Sequence, residues 1–311
     1  MRSVVLAYHE MGYACLEELL GLGEEVPLVV THQDQPGEEI WWRSVRELAD
    51  GQRIPVICPL DVNAPSVVDE IRALEPDVLF SVMFRQLLRP ALLQIPTRGA
   101  FNLHPSALPK FRGRASINWV LVEGESETGV TLHYMVEKPD RGDIVAQRRF
   151  PICEEDTALT LHRRATEEAR CLVREVYPLL RDGRAPRVSQ AQEQASYFGG
   201  RRPADGEIDW RWPARRIYNL IRAVTHPYPG AFTWHSGRTL HIWWASPVDP
   251  ASALEPGEVR IAGSSRVLVG AGDGGVLVLR RVQPQGESEL DALDWATSGQ
   301  IASEERLGRS A

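Results

Sequence analysis

The chain has 311 residues, a formal net charge of −7 and a sequence pI of about 5.7. Its composition, 43% hydrophobic and 25% charged, is that of a globular protein with room for one large and one smaller domain. The acidic balance excludes a broad basic surface, so nucleic acid is not an expected partner. No apolar run approaches the roughly 18 residues of a membrane span, and no signal peptide precedes the first strand. We therefore expect a cytoplasmic protein without membrane insertion.

The N-terminal part of the chain alternates short apolar strands with helices. Strands are predicted at residues 4–7, 27–31, 54–57 and 77–82, and helices after the first strand, at 40–48 and from 63 to 74. Strands without polar alternation, separated by helices, are typical of a parallel sheet that is buried on both faces. This pattern predicts a Rossmann-like, mostly parallel α/β sheet with flanking helices.

The middle of the chain changes from this alternation to a hairpin. A strand at 99–103 is followed by a proline-broken loop and a helix at 116–122. Strands at 129–135 and 144–150 flank the turn 138–142, in which proline and glycine favour a hairpin. A long amphipathic helix spans 157–180, and a polar segment follows it. We place the catalytic domain at residues 1–190 and a linker with its connecting helix at 191–230.

The C-terminal part has short strands and frequent turns between residues 232 and 282. This spacing predicts a small antiparallel β-barrel of the oligonucleotide-binding (OB) type at residues 231–305. Gly270, Gly272 and Gly275 formally match a G-x-G-x-x-G dinucleotide motif. That motif needs a helix after the glycines, whereas here a second strand follows, so we interpret it as a hairpin turn.

Metal chemistry finds no support in the residue spacing. The four cysteines, Cys15, Cys58, Cys153 and Cys171, are scattered without a C-x-x-C pair, and the eight histidines lack paired metal-ligand spacing. The expected state is reduced thiols in a reducing compartment, without a metal.

Three polar residues form the candidate catalytic set. Asn102 and His104 lie two residues apart at the end of a predicted strand, so their side chains project to the same face. A single histidine there is more often structural, but a carboxylate on the predicted hairpin, Asp140, offers it a partner. An amide can donate to an oxyanion, an imidazole can move a proton, and the carboxylate can orient the imidazole. This set suits transfer of a carbonyl carbon to an amine, although the spacing leaves the distance between His104 and Asp140 open.

The stretch F-N-L-H-P-S-A-L-P-K-F-R-G-R-A-S-I-N-W-V-L resembles the folate-dependent formyltransferases. Further similar segments are E-T-G-V-T-L-H-Y-M, K-P-D-R-G-D-I-V-A-Q, F-G-G-R-R-P-A-D-G-E-I-D-W and H-P-Y-P-G-A-F, so the resemblance covers most of the chain. It is strongest to the formyltransferase half of the bifunctional polymyxin-resistance enzymes, which act in lipid A modification. Those enzymes formylate UDP-4-amino-4-deoxy-L-arabinose. Their decarboxylase half has no counterpart in these residues, so formylation without oxidation is expected.

The resemblance implies a site and a formyl donor. Asn102, His104 and Asp140 would be catalytic, and 10-formyltetrahydrofolate would supply the formyl group. The implied folate contacts are Gln86, Leu87, Leu88, Arg114, Val136, Glu137, Lys138 and Pro139. The candidates for holding a sugar nucleotide are Arg201, Arg202, Tyr228, Trp41 and Trp42, each of which could equally be a structural residue.

The identity of the amine stays open at this point. The acidic loop at 33–42 and the net charge weigh against a tRNA acceptor and favour a small nucleotide-linked amino sugar. Methionyl-tRNA formyltransferase is one alternative, and a catalytically idle folate- or nucleotide-binding regulator is another. Whether the chain forms a homo-oligomer is not determined by the sequence.

Overall fold

The computed structural model describes residues 1–248, 254–263, 265–301 and 305–309. The chain folds into two compact units. The first comprises residues 1–116, 127–151 and 162–199, and the second comprises 117–126, 152–161 and 200–311. The division into functional domains at 1–190, 191–230 and 231–305 stays a prediction, and parts of the last range lie outside the described residues.

The first unit is built on a seven-stranded mixed sheet. The nine strands in the described residues of the first unit are, in chain order, β1 (Arg2–Ala7), β2 (Glu25–Val30), β3 (Val56–Ile57), β4 (Val78–Val82), β5 (Gly99–His104), β6 (Arg112–Gly113), β7 (Glu127–Tyr134), β8 (Ile144–Pro151) and β9 (Tyr197–Phe198). The sheet order is β3-β2-β1-β4-β5-β7-β8, while β6 and β9 pair separately. All pairs from β3 to β5 are parallel, whereas β7 runs antiparallel to both β5 and β8. The predicted mostly parallel sheet is confirmed.

Burial on both faces explains why the central strands are continuous apolar runs. Every residue of β4 is buried, and Phe80 and Phe101 on neighbouring strands are at most 1% exposed. The α-helices between residues 9 and 181 are α1 (His9–Gly21), α2 (Val45–Gly51), α3 (Pro65–Ala73), α4 (Pro90–Leu93), α5 (Ser116–Val122) and α6 (Ala158–Arg181). The apolar stripe of α6, which includes Leu161, Ala165 and Leu172, is buried as its periodicity indicates.

One predicted helix begins later than expected. The interval 40–48 is helical only from Val45, because Ser44 caps the helix and its Oγ accepts the Glu47 N–H at 3.2 Å. The apolar residues at 40–42 precede this cap and have no helical conformation. The helical reading of residues 40–44 was wrong because their apolar spacing reflects packing rather than a helix period.

The second unit contains an antiparallel sheet of six strands in the described residues. They are β10 (Ala231–His235), β11 (Arg238–Val248), β12 (Val259–Ala262), β13 (Arg266–Gly270), β14 (Val276–Pro284) and β15 (Leu290–Asp291), with helices α7 (Ala214–Val224) and α8 (Ala292–Trp295). The order is β10-β11-β14-β13-β12, and β15 pairs with β14. The antiparallel architecture is confirmed, and its closure into an OB-type barrel stays a prediction.

The glycine motif at 270–275 is a turn between two strands. β13 pairs antiparallel with β14, and the Ala271 N–H donates to the Gly275 carbonyl at 2.9 Å. The rejection of a dinucleotide fingerprint is therefore confirmed. Among the described residues, the helices are too short or too polar to cross a membrane.

Gly142 is a position where a larger residue should destabilise the first unit. A Cβ at this residue would lie 1.8 Å from the Tyr134 carbonyl oxygen, whereas a Cβ at Gly21 would meet nothing within 4 Å. We expect Gly142→Ala to lower the free energy of unfolding by about 2 kcal/mol or more, and Gly21→Ala, within helix α1, to leave it unchanged or raise it by up to about 1 kcal/mol. Urea unfolding followed by circular dichroism measures both. Equal stabilities of the two variants would contradict the packing of this hairpin.

Candidate active site

The centre of the site is a cross-strand pair between β5 and β7. Asn102 of β5 lies directly opposite His133 of β7 in the sheet register. The Asn102 Nδ2 atom is 3.2 Å from His133 Nε2. His104, two residues further along β5, projects to the same face as Asn102 and is 5% exposed. The sheet thus holds an amide and two imidazoles in fixed register.

Asp140 reaches this pair from the hairpin between β7 and β8. Its Oδ2 accepts the Gly113 N–H at 2.8 Å. Its Oδ1 lies 3.7 Å from His104 Nδ1 and 3.5 Å from His133 Nε2. The Asp140 backbone has a φ of 55°, in the left-handed region that non-glycine residues rarely adopt. The three predicted residues are therefore brought together, and the Asp140 carboxylate ties the hairpin to β6.

A backbone carbonyl accepts a hydrogen bond from one nitrogen of each imidazole. A carbonyl oxygen can only accept, so His133 Nδ1–H donates to the Tyr134 carbonyl and His104 Nε2–H donates to the Phe111 carbonyl, each at 2.8 Å. The lone pair of His133 Nε2 is then available to accept the Asn102 amide N–H. The other nitrogen of His104, Nδ1, faces the Asp140 carboxylate at 3.7 Å, which is longer than a hydrogen bond.

The surroundings of Asp140 keep its carboxyl group ionised. Burial alone would raise its pKa, but the imidazoles of His104 and His133 and the Gly113 N–H outweigh burial and hold the pKa well below its usual range. An ionised carboxylate beside His104 stabilises the protonated imidazole.

His133 is a residue of the site that was not among the predicted ones. Its signal was available: a strand was predicted at 129–135, and a histidine there precedes the predicted turn that carries Asp140. What the pattern could not provide is the register of β7 against β5, which places His133 opposite Asn102 rather than opposite a neighbour.

Apart from Arg114, the predicted folate contacts lie on two segments that pack against one apolar cluster. Leu88 belongs to this cluster, and Phe84 and Met135 pack against it. Leu87 and Val136 project outward and are 67% and 46% exposed. The other residues of the predicted set on these segments are Gln86, Glu137, Lys138 and Pro139, of which Glu137 and Lys138 are exposed. The fold therefore presents two apolar side chains beside the loop that carries Asp140.

Gln86 and Arg114 make contacts that define their segments. The Gln86 side chain accepts the Val62 N–H at 2.8 Å and donates to the Pro59 carbonyl at 3.2 Å. Its amide thus braces the loop after β4. The Arg114 side chain is exposed, and its backbone N–H donates to the Phe198 carbonyl at 3.0 Å.

Trp41 and Trp42 belong to an aromatic cluster beside the carboxyl end of β1. The Trp42 ring stacks on His9 with centroids 3.9 Å apart, and Trp41 packs edge-on against both His9 and His162. Burial lowers the pKa of His162 to about 4, so this cluster is neutral at physiological pH. Trp42 also lines a cavity of about 230 Å³ together with Tyr8 and Asp34.

The remaining sugar-nucleotide candidates lie in the second unit. The Arg201 guanidinium stacks over Trp119 at 4.6 Å and donates to the Asp205 carbonyl. The Arg202 N–H donates to the Asp205 carboxylate at 2.6 Å. Burial raises the pKa of Tyr228 to about 12. A shared role of these residues with Trp41 and Trp42 stays a prediction.

Two family models match the chain. Residues 26–176 match the formyl transferase model, and residues 201–300 match the model of the formyl transferase C-terminal domain. The chain belongs to the formyl transferase family. Asn102, His104, His133 and Asp140 all fall within the first match.

Solved structures of low sequence identity share the fold of this formyltransferase. WlaRD, a sugar 3N-formyl transferase with dTDP and 5-N-formyl-THF, is 20% identical, with a TM-score of 0.70 over 93% of this chain and 99% of that one. The N-formyltransferase of Helicobacter canadensis, with folinic acid and dTDP-3-aminofucose, is 19% identical, with a TM-score of 0.69 over 91% and 98%. HypX of Aquifex aeolicus, with tetrahydrofolic acid, is 19% identical, with a TM-score of 0.63 over 98% of this chain but 48% of its own.

Removing the Asp140 charge should change how the stability of this formyltransferase depends on pH. A carboxyl group with a depressed folded pKa stabilises the protein above its unfolded pKa, near 3.9, and loses that contribution as pH falls toward the folded value. We expect the stability difference between the wild type and Asp140→Asn to shrink between about pH 5 and pH 3. Urea unfolding of both proteins across this range measures it. A difference that stays constant would contradict an ionised, imidazole-paired Asp140.

His133 should act on the reaction through Asn102. We expect His133→Leu to lower kcat by up to about 10²-fold, because the amide loses the acceptor that orients it. We expect Asn102→Ala to lower kcat by about 10²- to 10³-fold. If the two residues act as one unit, the double variant should be scarcely worse than Asn102→Ala alone. Multiplicative losses in this cycle would assign His133 a role independent of Asn102.

Proposed function

We propose that the chain transfers the formyl group of 10-formyltetrahydrofolate to the amino group of a nucleotide-linked sugar. UDP-4-amino-4-deoxy-L-arabinose is the first substrate to test, because the sequence resemblance is strongest to the branch that formylates it. The observation that carries the proposal is the convergence of Asn102, His104 and Asp140 on one sheet face. An amide donor, a fixed imidazole and an ionised carboxylate are the groups that acyl transfer to an amine requires.

In the proposed mechanism Asn102 and His104 divide the chemistry. When an amine adds to a carbonyl carbon, the carbonyl oxygen gains negative charge, and an Asn102 N–H donates to it. The amine nitrogen loses a proton, which His104 accepts at Nδ1. The same imidazole returns this proton to the leaving nitrogen, so that no proton is gained or lost overall. Asp140 stabilises the charged imidazole between the two transfers.

The residues around the hairpin fit a formyl-folate. Leu87 and Val136 offer exposed apolar surface for a flat heterocycle, and they flank the loop of Asp140. Bound 10-formyltetrahydrofolate supplies the formyl carbon. Support also comes from the solved structures of similar fold, whose names include 5-N-formyl-THF, folinic acid and tetrahydrofolic acid. In this proposal the loop backbone at 136–140 orients the donor beside His104.

A small amino sugar suits the surface better than a tRNA. The carboxylate of Asp34 accepts the Tyr8 hydroxyl at 2.7 Å, and Glu38 pairs with Arg85, so the loop after β2 keeps carboxylates beside the carboxyl end of β1. Carboxylates there repel the phosphodiester backbone of a tRNA. Two of the solved structures of similar fold are named as formyltransferases with dTDP or a dTDP-linked amino sugar. In the proposal, Trp41, Trp42, Arg201, Arg202 and Tyr228 are the residues available to a sugar nucleotide.

A formylation assay with two acceptors tests the function. We expect turnover with UDP-4-amino-4-deoxy-L-arabinose and 10-formyltetrahydrofolate, and none with charged initiator tRNA. His104→Gln and Asp140→Asn should lose at least about 10²-fold in kcat, whereas the matched control Asp69→Asn, at an exposed carboxylate on α3, should keep wild-type turnover. Mass spectrometry of the sugar product measures the outcome.

The alternatives predict different results in the same assay. Turnover on the tRNA alone would identify a methionyl-tRNA formyltransferase. Binding of formyl-folate without transfer to any amino sugar or tRNA would identify a regulator.

A further inference from the structure

A buried guanidinium lies behind the catalytic hairpin. Arg112 of β6 is only 2% exposed. Its Nε and Nη2 donate to the Gln190 side-chain oxygen at 3.2 Å and 2.6 Å, and its Nη1 donates to the Gln192 side-chain oxygen at 3.0 Å. These acceptors are neutral amides. A buried cation that has hydrogen bonds but no counter-ion retains an unfavourable charge that an anion would neutralise.

A second arginine faces the same space. Arg112, Arg141 and Tyr197 line a cavity of about 350 Å³, together with Gln192, Ala195 and Ser196. Burial, and then the charge of Arg141, lower the pKa of Arg112. Arg141 itself is exposed, at the tip of the hairpin. The cavity therefore has two cations on its wall.

The nearby carboxylate of Asp140 already has other partners. Asp140 is the carboxylate whose charge reaches Arg112, but its oxygens face the Gly113 N–H and the imidazoles of His104 and His133. Within the described part of the chain, no carboxylate forms an ion pair with Arg112 or Arg141. The balance at the cavity is positive, and the guanidinium geometry suits two-point contact with a phosphate or carboxylate.

We propose that this cavity binds an anionic group, a diphosphate or a carboxylate, that belongs to one of the two substrates of the proposed reaction. The inference rests on the proposed function for the source of the anion, but not for the existence of the site. A volume of about 350 Å³ accommodates such a group with part of its neighbouring ring. Tyr197, which is 64% exposed, supplies an aromatic wall for that ring.

The anion site would be coupled to the catalytic loop. The Gln190 amide that accepts from Arg112 also donates to the Asp140 and Gly142 carbonyls at 2.8 Å and 2.7 Å. Replacing Arg112 would therefore disturb the hairpin as well as the cavity. Arg141 is the informative position, because its exposed side chain can be changed without removing a buried contact.

Calorimetric titration with inorganic pyrophosphate tests the site without any formyl transfer. At low ionic strength we expect saturable binding to the wild type, weakened about tenfold in Arg141→Gln through loss of one charge-assisted contact. The matched control is Arg163→Gln, which removes the same charge from an exposed position on α6 and should bind like the wild type. Equal affinities of the two variants, or no binding to the wild type, would overturn the proposal. Thermal unfolding of each variant verifies that the fold is intact.

Steady-state kinetics then identifies the source of the anion. If the diphosphate of the sugar nucleotide occupies the cavity, Arg141→Gln raises KM for the sugar about tenfold and leaves KM for the formyl donor unchanged. If the glutamate tail of the folate occupies it, KM for 10-formyltetrahydrofolate rises instead, and a formyl-tetrahydropteroate donor without glutamate is insensitive to the substitution. Two unchanged KM values would overturn the assignment to a substrate. A wild type without turnover would refute the proposed function and leave the pyrophosphate result standing.

Discussion

The Asp140 carboxylate is the group on which the rest of the site depends. A buried anion must be compensated, and here an amide N–H of β6 and the imidazoles of β5 and β7 compensate it. These contacts hold the hairpin in a left-handed backbone conformation that would otherwise be unfavourable. The same charge stabilises a protonated His104. The Asp140 side chain therefore contributes, together with Gln190, to holding the loop in place.

The mixed direction of the sheet makes this arrangement available. Parallel strands deliver their carboxyl ends to one edge, which is where β5 presents Asn102 and His104. A neighbouring strand that runs the other way, β7, can place a histidine directly opposite the asparagine and then return through a hairpin to the same place. In a wholly parallel sheet the next strand would arrive only after a helical crossover. The β7–β8 hairpin therefore returns Asp140 to the site only seven residues after His133.

Local sequence patterns predicted the strands and helices. They did not predict contacts between residues that are far apart in the sequence. The buried strands, the hairpin and helix α6 were predictable because burial and turn residues act over a few positions. The contact between Asn102 and His133 joins residues 31 apart, and that between Arg112 and Gln190 joins residues 78 apart. Such pairs depend on register and loop closure. The predicted start of helix α2 at residue 40 was wrong because Trp41 and Trp42 pack against His9 and His162, which are distant in the sequence.

Asn102 pairs directly with His133 across two strands, so a shift in strand register would remove this contact completely and not weaken it gradually. Side chains alternate along β7, so a slip of one residue would put Leu132 or Tyr134 opposite the amide and turn every polar group of that strand to the other face. No intermediate alignment preserves part of the constellation. Lengthening or shortening the β7–β8 hairpin is expected to move Asp140 away from the imidazoles, whereas substitutions at the exposed positions of its tip leave the position of Asp140 unchanged. The side chains at the hairpin tip can therefore vary, whereas the length of the hairpin cannot.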